Sequence, residues 1–503
     1  MYDNDRNSIL SNLPTSPCPT SGCGHCVIPR DMVEFLYIPG DLLIGGITDA
    51  HYSGSEPLSC GDVKTEGMMA AVAFYYAIQT AKSKMPGILN GVNLGGIIAD
   101  LCESAHAGNL LFSNILAELH VVRDKKGRIV NPKAINIMTE MISSPNTLAF
   151  TSGMKAFNIQ ELGTKATSSS LSDKTKYPNY ARVIPSDDKQ AVAMTQFFAR
   201  NGWKFIQTIN SPNDYGRTGI KDLRRLAAKG EVCLAASYEI GTDGTMDEIL
   251  TKIREQPQAR VVVLFVSSGQ RGDVLKSMKA LSWQKDYVFV GTDAWIAQMF
   301  AGYEEYAPGF ISFQPQNFGI RSFETWANSI NPRQANAIPG FSEWYESVNQ
   351  CYIVAENRGK YTTACGNTGI TSSPGYFHSR FIAYEINAVY MAAIALDRAL
   401  KVVCGSPYNG VCSKFRANTD VVDTLKTVFN DISFVTEYGS QFKVEAMESL
   451  QGYDILNYQT GTGFVQVRHC FVLLDLCFVD RCLSFCPFSF VHCVVCSSSI
   501  YEL

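Results

Sequence analysis

The sequence predicts an α/β protein with two lobes, each a mainly parallel sheet flanked by helices. The chain has 503 residues, which is too many for one ordinary core. Hydrophobic residues make up 46% and charged residues 18%, the balance of a globular protein rather than a disordered one. From Gly40 to about Gln316, short apolar runs alternate with stretches of helical spacing. This repetition indicates βαβ units, which form buried parallel sheets.

The predicted elements alternate along the chain. Strands are predicted at Leu42–Ile47, Val92–Ala99, Phe205–Ile209, Cys233–Ile240, Arg260–Val266 and Tyr287–Gly291. Helices are predicted at Gly67–Lys82, Asn109–Leu119, Lys189–Asn201, Gly219–Lys229, Asp247–Glu255 and Asp273–Ala280. These elements fall into two groups, so we expect the chain to cross from one lobe to the other near Asp187.

The later elements are expected to complete both lobes. A long helix at Ser379–Val403 would return the chain to the first lobe, and the strands Ser433–Val444 and Tyr453–Tyr458 would finish the second. The expected organisation is a disordered leader (1–39), lobe one (40–187 with 316–432) and lobe two (188–315 with 433–459). Two such lobes form a hinged clamp, with the ligand at the carboxyl ends of the strands.

The last segment, 460–503, differs in composition from the rest. Its Phe, Val and Leu residues are interspersed with six cysteines: Cys470, Cys477, Cys482, Cys486, Cys493 and Cys496. Asp475, Asp480 and Arg481 interrupt the apolar run, so it falls short of the ~20 residues that a spanning helix needs. We expect a non-native tail, with a membrane-associated segment as the alternative. A zinc site at Cys493 and Cys496 lacks a second ligand pair at suitable spacing.

Composition argues against several function classes. The net charge is −4 and no basic run is interleaved with aromatic residues, so nucleic acid is not expected as a partner. The chain has no Gly-x-Gly-x-x-Gly after its first strand, no Walker loop and no Gly-x-Ser-x-Gly, so we expect no enzyme, cofactor or metal.

Cysteine content bears on the compartment. Sixteen cysteines favour an oxidising environment, although no signal peptide is visible in residues 1–39. We therefore expect a fragment of a longer exported protein, with a non-secreted product as the alternative.

A set of polar residues lies around the predicted crossing between the lobes. Thr167 supplies a hydroxyl, Asp187 a carboxylate and Tyr215 an aromatic ring. Hydroxyl and backbone N–H groups bind a carboxylate, whereas a carboxylate and a π-face bind an ammonium. The set suits a zwitterionic amino acid.

The runs around these residues resemble a known family. They closely resemble the extracellular Venus-flytrap domain (periplasmic-binding-protein-like type I) of class C G-protein-coupled receptors, above all the metabotropic glutamate receptors. The resemblance extends from about Gly40 to Gln459. It is carried by Gly40–Gly46, Leu171–Thr175, Arg182–Asp187, Asn213–Gly219, Arg321–Phe323, Phe341–Trp344 and Gly452–Leu456.

The resemblance implies an amino-acid site. Its residues would be Ser143, Ser144, Thr167, Asp187, Tyr215 and Asp293. Ser144, in the family's serine loop, would hold the ligand α-carboxylate, and Thr167 would contact both the carboxylate and the ammonium. Asp187, Tyr215 and Asp293 would receive the ammonium. The ordinary alternatives are helix caps for the serines and Asp293, a turn for Asp187 and a core position for Tyr215.

The side-chain end of this site departs from the glutamate receptors. Ala70 stands where they have an arginine, and Phe381 where they have a lysine. The adjacent Arg380 could replace that lysine only if the register slips by one residue. Burying a ligand carboxylate without its donor is costly, so we expect neutral or apolar amino acids to bind at least as well as glutamate.

The resemblance also implies three disulfides. They would join Cys60 to Cys102, Cys351 to Cys365 and Cys404 to Cys412, with Cys233 left over. Buried free thiols are the alternative, because spacing alone does not determine connectivity.

The implied function is amino-acid binding at the extracellular side of the plasma membrane, with closure of the clamshell as the signal. A homodimer through lobe one is expected. A heterotrimeric G protein is expected as a partner only for a longer form that carries a seven-helix region. The alternative is a truncated soluble amino-acid-binding or decoy protein that does not signal.

Overall fold

A computed structural model describes residues 34–56, 59–118, 127–230, 232–283, 286–296, 300–353, 355–417, 421–471 and 476–479. Its strands are β1 (Phe35–Ile38), β2 (Leu42–Thr48), β3 (His51–Ser53), β4 (Cys60–Val63), β5 (Leu94–Asp100), β6 (Ile135–Met141), β7 (Gln160–Gly163), β8 (Tyr180–Arg182), β9 (Phe205–Asn210), β10 (Cys233–Glu239), β11 (Val261–Phe265), β12 (Val288–Gly291), β13 (Ile311–Pro315), β14 (Asp431–Val435), β15 (Gln441–Glu445), β16 (Glu448–Ser449), β17 (Tyr453–Gln459), β18 (Gly463–Phe471) and β19 (Leu476–Val479).

The α-helices lie between these strands. They are α1 (Thr65–Lys84), α2 (Ala105–Leu116), α3 (Ser144–Met154), α4 (Asp187–Arg200), α5 (Asp214–Ala227), α6 (Met246–Ile253), α7 (Arg271–Ala280), α8 (Arg321–Ser329), α9 (Pro332–Ala335), α10 (Phe341–Asn349), α11 (Phe381–Cys404), α12 (Ser413–Arg416) and α13 (Val421–Phe429). None of the helices in these described ranges combines the length and the apolar character needed to cross a membrane.

Lobe one is built on a six-stranded sheet of order β1-β5-β2-β6-β7-β8. All of its strand pairs are parallel except β1 with β5. Helices α1 and α11 cover one face of the sheet, and α2 and α3 cover the other. Because both faces are covered, β2 and β6 are buried along their whole length.

Lobe two is built on an eight-stranded sheet of order β10-β9-β11-β12-β13-β17-β18-β19. The strands from β10 to β13 are parallel, and those from β13 to β19 are antiparallel. Helices α4 and α5 pack on one face, and α6 and α7 on the other. The predicted fold class, two mainly parallel sheets flanked by helices, is confirmed.

The end of the predicted leader is wrong. Phe35–Ile38, placed by the sequence within a disordered segment, forms β1 and pairs antiparallel with Gly96–Ala99. Leu36 and Tyr37 are both 7% exposed and pack on opposite faces of the first sheet. The four residues of β1 are too few to give a clear hydrophobic pattern, and the residues before them in the sequence show none. The leader's residues 1–33 lie outside the described ranges.

The assignment of the late hairpin to lobe two is also wrong. Strands β14, β15 and β16 form a separate three-stranded sheet. Ile432, Phe442 and Val444 are fully buried in the core that contains α1 and α11, so the hairpin packs against lobe one. Of the two strands predicted to finish lobe two, only the later one, β17, enters the second sheet, where it pairs antiparallel with β13. The alternation of buried and exposed residues predicts the strands but not which core receives them.

The tail does not begin where the sequence analysis placed it. Residues 463–471, expected to be non-native, form β18, which pairs antiparallel with β17 from Gly463 to Cys470 with one irregularity in the register. Val467 is 1% exposed in a core of lobe two, and the Phe464 ring lies 5.3 Å from that of Tyr458. Strand β19 continues the sheet at Leu476–Val479. Residues 480–503 of the predicted tail lie outside the described ranges.

The structure contains the three disulfides that the resemblance implies. They join Cys60 to Cys102, Cys351 to Cys365 and Cys404 to Cys412. Among the described cysteines, Cys233 is free and exposed. The Cys60–Cys102 bridge links β4 to the loop after β5, so it ties the first long loop to lobe one.

A buried carboxyl in lobe one makes stability depend on pH. The Glu385 side chain on α11 is fully buried and accepts hydrogen bonds from Thr139 (2.6 Å) and Thr164 (2.9 Å). Burial outweighs these bonds and raises the pKa of Glu385 to about 7. The folded state therefore holds the proton more tightly than the unfolded chain, and this stabilisation is lost as pH rises from about 4.5 to about 7.

We expect Glu385→Gln to remove this dependence. Between pH 4.5 and 7 the wild-type free energy of unfolding should fall, relative to the variant, by up to about 3 kcal/mol. Urea unfolding at several pH values measures the difference. Parallel curves for the two proteins would contradict the assignment of this titration to Glu385.

Candidate functional site

The predicted ligand residues lie where parallel strands end. Ser144 follows β6, Thr167 follows β7 and Asp187 follows β8, all in lobe one. In lobe two, Tyr215 follows β9 and Asp293 follows β12. The carboxyl ends of parallel strands meet at one edge of a sheet, which explains how residues so far apart in sequence reach one cleft.

A helix start and a loop form the hydroxyl-rich wall in lobe one. Ser143 directly precedes α3, and its side chain makes no capping hydrogen bond. Ser144, 5% exposed, accepts a hydrogen bond from the Ser168 N–H at 3.2 Å through its Oγ. This bond holds the serine loop against the segment that carries Thr167, which is 1% exposed. Hydroxyls and unpaired N–H groups at a helix start favour an anionic ligand group.

The acidic wall in lobe two is built around Tyr215. Its hydroxyl lies 2.6 Å from Oγ1 of Thr292 and 2.9 Å from Oδ1 of Asp293. The ring is 6% exposed and packs against Phe265 at 5.9 Å. Tyr215 therefore occupies a core position and also contacts Asp293, so the two interpretations of this residue are compatible.

Asp187 faces this wall from lobe one. It is fully buried at the first turn of α4, and neither carboxylate oxygen has a hydrogen bond of good geometry among the described residues, although the Thr167 hydroxyl lies nearby. Burial raises the pKa of Asp187 well above its usual range, and the negative charge of Asp293 adds to the rise. The Thr167 hydroxyl and the Arg182 guanidinium oppose it. Burial also raises the pKa of Asp293.

Arg182 supports the Thr167 loop from behind. This fully buried side chain donates through Nη1 to the carbonyl oxygens of Thr167 (3.0 Å) and Ser168 (3.1 Å), and through Nη2 to Oγ of Ser172 (3.0 Å). Its Nε lies 2.9 Å from Oε2 of Glu448. The arginine therefore fixes the loop conformation from within the core.

A second set of bonds joins the lobes at the edge of the cleft. Asp214, in the first turn of α5 in lobe two, accepts hydrogen bonds from Ser168 and from Ser170, the latter at 2.8 Å. The hydroxyls of Ser168 and Thr218 are 3.2 Å apart. Contacts between the lobes thus lie within a few residues of the Thr167 loop.

The structure also places cations in the cleft that sequence reasoning did not identify. Lys165 binds Oε2 of Glu66 at 2.6 Å and lies 5.3 Å from the centre of the Phe381 ring. Arg271, at the start of α7, lowers the pKa of Asp293 through its charge, and its Nε is buried without a hydrogen-bond partner among the described residues. Lys165 stands two residues before Thr167, and that proximity was the available signal.

Two residues considered for the side-chain end of the ligand, Arg380 and Ala70, lie in different surroundings. Arg380 stands beside Phe381 and immediately precedes α11, and its positive charge lowers the pKa of Asp293. Ala70 is 1% exposed inside the hydrophobic core of lobe one. An arginine introduced at that position would meet apolar neighbours before it met a ligand.

A metal centre is not supported at the strongest cluster of possible ligands in the described ranges. His51, Asp100, Cys60 and Cys102 lie together, but the two sulfurs are bonded to each other. Nδ1 of His51 is 2.5 Å from Asp100 and Nε2 is 3.2 Å from Glu343. These hydrogen bonds outweigh burial and raise the pKa of His51 to about 10, so the cluster is an ion pair.

Comparison with known proteins supports this architecture. Residues 69–461 match the family described as "Receptor family ligand binding region". Metabotropic glutamate receptor 8 of Mus musculus and that of Homo sapiens are each 27% identical over 448 residues, which cover 86% of this chain and 49% of the receptor. A metabotropic glutamate receptor of Drosophila melanogaster is 25% identical over 482 residues, covering 84% of the chain and 49% of the receptor.

These relatives set the scope of the assignment. The chain spans about half the length of the curated relatives it matches. The matched family is one of ligand-binding regions rather than of enzymes, in agreement with the sequence prediction. The chain therefore belongs to the receptor family ligand-binding region.

Proposed function

We propose that this chain binds an α-amino acid in the cleft between its lobes, as the extracellular ligand-binding domain of a class C receptor at the plasma membrane. Closure of lobe two over a ligand held on lobe one is the signalling event. Ser144 and Thr167 hold the ligand carboxylate, with Ser143 beside them. Asp187, Tyr215 and Asp293 hold the ammonium.

One observation carries this proposal. Burial and the negative charge of Asp293 in lobe two raise the pKa of Asp187 in lobe one, and no hydrogen bond of good geometry reaches the Asp187 carboxylate among the described residues. Two buried carboxylates so close together are costly unless a cation or a proton lies between them. A ligand ammonium supplies that cation, and it does so only when both lobes contribute.

The coupling of binding to closure follows from this arrangement. An amino acid on lobe one alone meets Asp187 but not Asp293. Closing the clamp adds Asp293 and the Tyr215 ring, so the ligand has a higher affinity for the closed form and shifts the population toward it. The bonds from Ser168 and Ser170 to Asp214 stabilise the same closed edge.

The ammonium cage gives the decisive test. We expect Asp293→Ala and Tyr215→Ala each to weaken amino-acid binding more than tenfold, because each removes a partner worth ~1–3 kcal/mol to a buried cation. Isothermal titration calorimetry with a panel of L-amino acids measures the affinities. Asp247→Ala, an exposed acid on α6 of the same lobe, is the control. Unchanged affinity in both cage variants would refute the pocket.

The panel should include acidic as well as neutral amino acids. Sequence reasoning favours neutral side chains, whereas Lys165, Arg271 and Arg380 bring positive charge to the cleft. Glu66 offsets part of that charge through its ion pair with Lys165. The proposed contacts therefore specify the α-carboxylate and the ammonium of the ligand, and the panel of amino acids measures which side chain is preferred.

Two partners belong to the same proposal. A homodimer through lobe one follows from the resemblance to class C receptors. A heterotrimeric G protein would couple only to a longer form with a seven-helix region. Sedimentation of the chain with and without a bound amino acid tests the dimer.

A further inference from the structure

Two glutamates and a tyrosine project from neighbouring strands of lobe one on the side covered by α3. Glu161 of β7 stands opposite Tyr180 of β8, and Glu140 of β6 stands opposite Gly163 of β7. Opposed residues share a face, and Gly163 is two residues beyond Glu161, so all three side chains lie on one face. A Cβ atom on Gly163 would come within 1.8 Å of the Tyr180 hydroxyl, which places that hydroxyl beside Glu140.

This cluster is buried and lacks compensation. Glu140 and Tyr180 are 0% exposed, Glu161 2% and Thr151 of α3 4%. Both Glu140 carboxylate oxygens, Oε1 of Glu161 and the hydroxyls of Tyr180 and Thr151 make no hydrogen bond of good geometry within the described ranges, although Glu140 and Thr151 lie close to the Glu161 carboxyl. So many buried polar atoms without well-formed hydrogen bonds in one place is unusual in a folded protein and leaves room for a ligand.

The nearby basic residues do not supply the missing charge. Arg182 and Lys174 both lie over the Tyr180 ring, at 5.7 Å from its centre. Each is paired with Glu448, at 2.9 Å in both cases. The positive charges next to the cluster are therefore already engaged on another carboxylate.

A cavity leads from the surface to the cluster. Its volume is about 410 Å³, and Thr151, Glu161 and Asn179 line it together with the exposed Lys155 and Lys176. Asn179 is 8% exposed, and its Oδ1 is another oxygen without a partner in the described part of the chain. A small hydrated ion can reach Glu161 by this route.

We propose that Glu140, Glu161, Tyr180 and Thr151 form a binding site for a hard divalent cation of the Ca²⁺ type inside lobe one. Every donor in the cluster is an oxygen, the ligand type that such cations prefer. Two carboxylates neutralise a divalent charge, and water from the cavity completes the coordination shell. The site is separate from the amino-acid cleft and does not depend on the function proposed above.

Protons compete with the cation for the same oxygens. Metal ligands must be deprotonated, so cation affinity should rise with pH. A pair that only shares protons would show the pH dependence without the cation dependence.

The experiment uses the full chain after chelator treatment, with CaCl2, MgCl2 and NaCl tested separately at pH 6.5 and 8.5. We expect CaCl2 to raise the melting temperature, more strongly at pH 8.5, and calorimetry to give a saturable isotherm. Glu140→Gln with Glu161→Gln should weaken Ca²⁺ binding more than tenfold. Glu385→Gln is the matched control, because that glutamate is equally buried but its oxygens are satisfied by Thr139 and Thr164.

A second variant keeps the test valid if the double variant does not fold. Tyr180→Phe retains both carboxylates and removes one donor, and it should weaken Ca²⁺ binding more than threefold. The proposal is overturned if wild-type protein shows no saturable response to CaCl2 or MgCl2 at pH 8.5. It is equally overturned if the variants respond as the wild type does, since the cation would then bind elsewhere.

Discussion

A chain that ends at Gln459 should lose most of the stability of lobe two. Truncation there removes β18 and leaves β17 as an exposed edge from Tyr453 to Gln459. It also removes Val467 from the core and Phe464 from the aromatic cluster with Phe310 and Tyr458. Each buried apolar side chain contributes about 1.5–3 kcal/mol, so we expect a loss of more than about 3 kcal/mol.

The control is a chain that ends at Val479, which keeps both β18 and β19. Urea unfolding and the yield of soluble protein, measured for the two truncated chains and the full chain, separate the contributions. If the chain that ends at Gln459 unfolds at the same urea concentration as the full-length chain, then the pairing of β17 with β18 does not stabilise lobe two.

Replacing Arg182 with methionine should destabilise lobe one by about 3–5 kcal/mol, the usual cost of breaking a buried ion pair. The change removes one of the donors to the carbonyl oxygens of Thr167 and Ser168, and it removes one partner of Glu448. Because the Thr167 loop also lines the cleft, amino-acid affinity should fall in the same variant. Urea unfolding and calorimetry measure the two effects.

Arg217→Met is the matched control. Arg217 also forms a close ion pair, 2.7 Å from Glu239, but its side chain is 59% exposed. Exposed ion pairs contribute about 0–1 kcal/mol, since water screens the charges and the side chains are mobile. Equal losses of unfolding free energy in the two variants would show that the burial of Arg182 is not the reason why its contacts stabilise the protein.

The elements of the fold were largely predictable from the sequence. Strands such as Leu42–Thr48 and Val261–Phe265 are short apolar runs between polar breaks, so the local sequence is enough to predict them. Strand β6 was not predicted, because Asn136, Thr139 and Glu140 interrupt its apolar run although all seven residues are buried. Buried polar residues break the hydrophobic pattern by which a buried strand is recognised in the sequence.

The candidate site was predictable in its residue types but not in its charge balance. The hydroxyls, acids and aromatic ring of an amino-acid site stand in recognisable runs, and the structure joins Tyr215 to Asp293 directly. The contributions of Arg182 and Arg271 could not be read from those runs. Their partners lie elsewhere in the chain, and spacing along the sequence carries no information about them.

The sequence by itself determined the fold class, the alternation of strands and helices, and a candidate set of ligand residues. Only the tertiary structure decided that the β14–β15 hairpin belongs with lobe one, that β18 completes lobe two, and that Glu140 and Glu161 share one buried face. The physical reason is the distance along the sequence between the groups that interact. Periodicity and turn chemistry act between near neighbours in sequence, whereas burial and charge compensation depend on groups that only folding brings together.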